Sequence, residues 1–228
     1  MNRRKLDILF SAGGGLLAVL LLVLGFVLMD QAAFADDYVR EELSAQKIKF
    51  AAADKLTDEE KNWKPGSACL TEYAGQTMET GKQAECYAKY YIAMHMDRSA
   101  KNAGFEGETY ATLGGIRTDL TAQIKAAKDA GDTATAETLQ KKFDSATSLR
   151  STMQTGETLR GLLLTTYGFS IFGERAETAG MLAYAVAVVL VVLSVAGFVH
   201  AFFLVKEKPE AARRAAAPGG EPRPVAGQ

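Results

Sequence analysis

Histidine is almost missing from this chain, which has His95 and His200 and no other. With two histidines there is no H-E-x-x-H zinc motif and no Cys-His-Asn set with a spare thiol, and no serine stands in a nucleophile elbow. Cysteine is as scarce: Cys69 and Cys86 are separated by sixteen residues, which is neither a C-x-x-C redox motif nor a zinc knuckle, and no histidine cluster completes four ligands. Phosphate-binding glycine patterns are missing too, because the glycine-rich TYATLGG at 109–115 matches neither the dinucleotide nor the P-loop spacing and reads as a turn over 104–115. Acids such as Glu59, Glu60, Glu72 and Glu79 read as solvated charges. No catalytic, cofactor-binding or metal-binding residue is expected.

Charge is absent from two long stretches, and these organise the chain. Ile8–Met29 and Ala179–Val205 contain no Asp, Glu, Lys or Arg. Each is long enough to cross a hydrocarbon core of about 30 Å at about 1.5 Å per helical residue. The expected fold is mainly α: two transmembrane helices flanking an external helical domain with an antiparallel helical hairpin and one disulfide. Arg3, Arg4 and Lys5 precede the first run, and Lys206, Lys208, Arg213 and Arg214 follow the second. Because Lys and Arg are retained on the cytoplasmic side, both termini are expected inside a plasma membrane, with 1–7 a cytoplasmic start, 8–29 and 179–205 the spans, and 206–228 a disordered cytoplasmic tail. Residues 30–178 then lie outside. They carry 18 Lys or Arg against 23 Asp or Glu, an acidic balance that argues against nucleic acid or anionic lipid as a partner. A rival reading takes the first run, followed by Ala33-Phe34-Ala35, as a cleaved secretory signal, but about 22 apolar residues exceed a typical signal core.

Both cysteines fall in the external region, where an oxidising compartment favours a structural disulfide over a redox or metal pair. From Asp30 the first helix is expected to continue, with Phe34, Tyr38, Val39 and Leu43 on one apolar side, and to loosen towards Lys64-Pro65-Gly66. Cys69–Gly81 reads as loop or short extended structure. A helix over 82–102 carries Tyr87, Tyr90, Tyr91 and Met94 at steps of three and four, a stripe that suits a core and could also bind a ligand. Ile116, Leu120, Ile124 and Ala127 line one arm of the hairpin, and Leu139, Phe143, Ala146, Leu149 and Met153 line the other after Asp129-Ala130-Gly131-Asp132.

The densest apolar stretch outside the runs is 156–174, where Leu159, Leu162, Leu163, Tyr167, Phe169 and Phe172 are too many for a free loop. They form the candidate partner interface. The alternatives are burial along the membrane surface or against the chain's own helices. Ser11, Gly14, Ala18 and Gly25, with Gly180, Ala183, Ala187, Ser194, Gly197 and Ala201, line one side of each run and permit close helix packing, with each other or with a partner. His200 reads as an interfacial polar residue and His95 as a packing or surface residue. On opposite sides of the membrane they share no metal.

Four segments carry a resemblance: RRKLDILFSAGGGLLAVLLLVLGFVL at 3–28, GKQAECY around Cys86, TYATLGG at 109–115, and GETLRGLLLTTYGFSIFGE at 156–174. Over most of its length apart from the hairpin tip and tail, the chain resembles a group of actinobacterial two-span membrane proteins of unknown function. Some members of that group bear the label aromatic ring-opening dioxygenase. That chemistry needs a non-haem iron site, commonly two histidines and a carboxylate, which His95 and His200 cannot build, so the label is rejected. The expected function is a non-catalytic accessory or scaffold subunit of a larger integral membrane protein complex in the lipid bilayer. A respiratory oxidase supercomplex is one host that suits an actinobacterial setting. The alternative is an external sensor or ligand-binding module signalling through its spans.

Overall fold

The computed structural model describes residues 3–204. The last residue of the second run, Val205, the basic residues that follow it and the tail 206–228 lie outside the described residues. Among those described, the chain is mainly helical and has no strand; Lys49 and Thr77 form one isolated antiparallel bridge. The helices are α1 (Arg3–Ala45), α2 (Asp58–Asn62), α3 (Cys69–Glu72), α4 (Gly81–Cys86), α5 (Ala93–Asn102), α6 (Tyr110–Asp129) and α7 (Thr133–Val199). Two stretches of wider i→i+5 turns, Tyr87–Ile92 and His200–Leu204, join α4 to α5 and extend α7.

Several helix starts are written locally. Thr57, Thr80 and Thr109 each accept a hydrogen bond from the backbone N–H three residues on, and the side chains of Glu60, Gln83 and Thr112 each accept one from the backbone N–H of the capping residue. The cap at Thr109 starts α6 at Tyr110, so the expected turn over 104–115 is confined to its first half. Gly104 and Gly107, at φ 76° and 79°, make that turn, while Gly114 and Gly115 are helical. Nothing interrupts α7 over 67 residues, because no proline falls between Thr133 and Val199. The stretch 156–174 is therefore part of one continuous helix.

Two helices, Arg3–Ala45 and Thr133–Phe203, are long and apolar enough to cross a membrane. Only 11% and 17% of their most apolar windows are buried, whereas the core helix of a water-soluble protein would be mostly covered. The chain divides into two units, one drawn from Met1–Val27 and Ala179–Gln228 and the other Leu28–Thr178.

In the first unit the small residues of α1 and α7 face each other. Ser11, Ala18, Ala183, Ala187 and Ser194 are buried there. A methyl group on Gly14 would meet Ser194 Oγ at 2.8 Å, one on Gly25 would meet the Tyr184 ring at 3.0 Å and the Gly180 carbonyl at 3.3 Å, and one on Gly197 would collide with Ser11. These pairs run in opposite order along the two helices, so the helices are antiparallel. Their close approach uses up the small-residue stripes, while Leu9, Phe10, Leu16 and Val192 point outward.

The second unit has the opposite grain. Leu43, Leu70, Met78 and Leu113 are 0–1% exposed and share one core with Phe50, Met96, Leu149, Met153 and Leu163. Gly81 lies so close to α7 that a methyl group there would overlap Ser170.

Candidate functional site

Cys69 at the start of α3 and Cys86 at the end of α4 are joined in a disulfide, with Cα atoms 6.1 Å apart. Leu70 and Ala84 beside them are buried in the core, so the bond staples packed structure. No free cysteine remains.

The stretch 156–174 splits by face. Leu163 is 2% exposed and belongs to the core, which corrects its assignment to a partner interface: at this turn α7 presents Leu163 to the unit's own interior. Leu159 is half-buried against the same core, and half-buried Tyr167 lies with its ring 5.9 Å from the Lys89 ammonium. Leu162, Phe169 and Phe172 are exposed, at 62%, 38% and 74%. The same division occurs on α1, where Val39 and Leu43 are buried while Phe34 and Tyr38 are exposed. One residue around a helix is about 100°, enough to separate Tyr38 from Val39, so the four do not form one apolar side. Tyr38 meets Phe169 edge-on at 5.9 Å and stacks with Phe34. The exposed apolar surface is thus built from two helices, α1 as well as α7.

A second feature lies between the α4–α5 helix and α7. Phe50, Tyr87, Tyr91 and His95 form a column with ring centroids 5.4, 4.6 and 4.2 Å apart in succession. The wide turns over Tyr87–Ile92 put these rings in line, whereas Met94 of the expected stripe is buried. His95 Nε2 lies 3.3 Å from Glu60 Oε1, and Glu60 Oε2 accepts from the Thr57 backbone N–H at 2.7 Å and hydroxyl at 2.9 Å. Glu60 is 7% exposed, so it is a buried capping group and not the solvated charge its sequence context suggests. Burial, seconded by Arg98, holds the His95 imidazole below its ordinary pKa, against the opposite pull of Glu60 and Glu59. Burial and the neighbouring Tyr91 push the Tyr87 phenol up to about 12. Beside the column runs an open groove of about 490 Å³, walled on the α7 side by Ser151, Thr152, Thr155 and Leu159.

In the first unit, His200 Nδ1 lies 3.0 Å from Asp7 Oδ2. From the sequence His200 reads alone; its partner Asp7 stands one residue before the first apolar run, and the antiparallel pairing of the two runs brings it to the end of the second. The two histidines lie in different units, and among the described residues no group of three or more His, Cys, Asp and Glu is placed to hold a metal ion. Comparison with protein-family models, with curated proteins and with solved structures finds no match for this chain.

Proposed function

We propose that this chain is a non-catalytic accessory or scaffold subunit of a larger integral membrane protein assembly. Its two apolar helices hold it in the plasma membrane, both termini are cytoplasmic, and the disulfide-stapled domain of residues 30–178, with α6 and the start of α7 as a helical hairpin, is external. A respiratory oxidase supercomplex is the host that the actinobacterial resemblance favours. The observation that carries the reading is the exposed apolar surface of Leu162, Phe169, Phe172, Phe34 and Tyr38 on the unit that otherwise buries its large side chains. A tagged full-length chain extracted from its own membranes in mild detergent should bring down integral membrane proteins in fixed proportion. Recovery of the chain alone in every mild detergent would overturn the proposal.

The groove beside Tyr91 and His95 favours a second reading, an external ligand-binding module, because its size and mixed lining suit a small ring-bearing molecule. A small molecule that raises the thermal transition of the parent, and does so less for Tyr91→Ala, would support that reading.

A further inference from the structure

We infer that the uncharged face of α7 from Thr158 to Phe172 is the seat of a single α-helix from a partner membrane protein, apolar along its contact face and carrying Lys or Arg along one edge. This inference rests on the accessory-subunit reading and specifies the partner's shape and charge.

The face is a narrow track. Thr158, Gly161, Leu162, Thr165, Phe169 and Phe172 recur at steps of one, three and four residues and are all exposed. They run about 21 Å along the helix at about 1.5 Å per residue. None is charged. The two threonines do not make the track polar, because each hydroxyl donates back to its own helix: Thr158 to the Gln154 carbonyl and Thr165 to the Gly161 carbonyl, both at 2.8 Å. Their methyl groups are what a partner would meet.

Relief along the track selects a helix over a flat surface or fluid lipid chains. Leu162, Phe169 and Phe172 stand out, while Gly161 and its neighbour Gly168, seven residues on, leave hollows: a methyl group built on either has nothing within 4 Å. Glycine disfavours a helix interior, and here no contact inside the chain calls for it. Alternating ridges and hollows at three- and four-residue steps match the ridges-into-grooves packing of a second helix.

Charge sets the edge. On the α1 side Tyr38 rests against Phe169, and Asp37 and Glu41 stand one residue before and three residues after Tyr38 on the same helix. Both are exposed and make no ion pair among the described residues, whereas neighbouring Asp36 is bonded to Arg40. A partner helix lying on the track meets an acidic margin, which Lys or Arg on its near edge complements.

The test uses the full-length chain in its native membranes. Gly161→Leu and Gly168→Leu add bulk at hollows where a Cβ meets nothing within 4 Å, and Gly115→Leu, exposed and with the same open space around its Cβ, is the control away from the track. The first two should each lower recovery of the co-purifying membrane protein by about tenfold, with the disulfide and thermal transition of the chain unchanged, while the control recovers it as the parent does. A benzophenone side chain in place of Leu162 reads the same surface without filling a hollow. It should cross-link to one integral membrane protein, at a helix with Lys or Arg beside the attachment point. Cross-linking to a second copy of this chain, to lipid alone or to nothing overturns the inference, as does unchanged recovery with Gly161→Leu and Gly168→Leu. If the parent recovers a membrane partner and the hollow-filling variants recover it equally, this inference alone fails. If the parent recovers none, the accessory-subunit reading fails with it.

Discussion

The two units of this protein are packed in opposite senses. The first buries alanine and serine, with Ala18, Ala187 and Ala201 at 0% exposure, and turns Leu9, Phe10 and Val192 outward at 61–74%. The second buries Leu43, Leu70 and Met78 and is stapled by a disulfide. In water the gain from burial grows with apolar area, at about 25 cal/mol per Å², so large side chains go inside. In lipid that gain vanishes, and what remains is close approach of backbones, which small residues allow. The second unit is thus packed as a core surrounded by water is, and the first in the sense expected of helices long and apolar enough to cross a membrane.

Breaking the core of the second unit is expected to have the largest effect. Leu163→Ala should cost about 2–5 kcal/mol, read from the denaturant midpoint in detergent, while Leu162→Ala, one residue earlier, should stay within about 0.5 kcal/mol. Equal losses would mean that the core assignment of Leu163 is wrong. Next comes the staple: replacing Cys69 and Cys86 together by serine should cost about 3 kcal/mol for a closed loop of this length, by the same measurement. No change would show that the packing around Leu70 and Ala84 needs no bond.

The first unit should respond to added bulk. Gly25→Leu, which meets the Tyr184 ring and the Gly180 carbonyl, should destabilise helix pairing by about 1–3 kcal/mol, whereas Gly13→Leu, with nothing within 4 Å, should be neutral. Thermal unfolding in detergent, monitored by helix signal, distinguishes the two; a neutral Gly25→Leu would mean that the small residues do not face each other.

The smallest expected effect is a pH dependence confined to the second unit. Folding holds the His95 imidazole below its ordinary value near 6.5, so the unfolded chain binds the proton more tightly. The stability tied to His95 is fully present above pH 6.5, declines as pH falls through 6.5, and is lost by the folded pKa. His95→Gln should therefore show a smaller fall in thermal transition than the parent between about pH 7.5 and about pH 5.5. An equal fall in both would assign the acid sensitivity to other groups.

How much of this was legible in the sequence varied with the range of the signal. Both apolar helices could be read from composition, and the Cys69–Cys86 bond from the shortage of any other thiol. The small-residue stripes were visible, but their pairing needed an antiparallel register that only three-dimensional contact supplies. Leu163 and Leu162 are adjacent leucines in LRGLLL, and nothing local tells which turns inward. Phe34 and Tyr38 joined the wrong face for the same reason. The wide turns over Tyr87–Ile92 left no mark in the side-chain spacing, because an i→i+5 turn shifts the register by a fraction of a residue. Asp7 was passed over because it stands just outside the first apolar run, with its partner at the far end of the other.

Both units share a dependence on α7. It contributes Leu163 to one core and Ala187 to the other close-packed helix pair, while the chain from Arg3 to Asp132 supplies the complementary surfaces to both. During synthesis, therefore, neither unit is complete when the first 132 residues have emerged, although Cys69 and Cys86 are already there to bond. Assembly is withheld until the part of the protein after Asp132 is made, and then both units close on a single helix. A chain truncated before α7 has no finished part to protect it, so premature termination leaves a substrate for proteolysis and no half-working fragment.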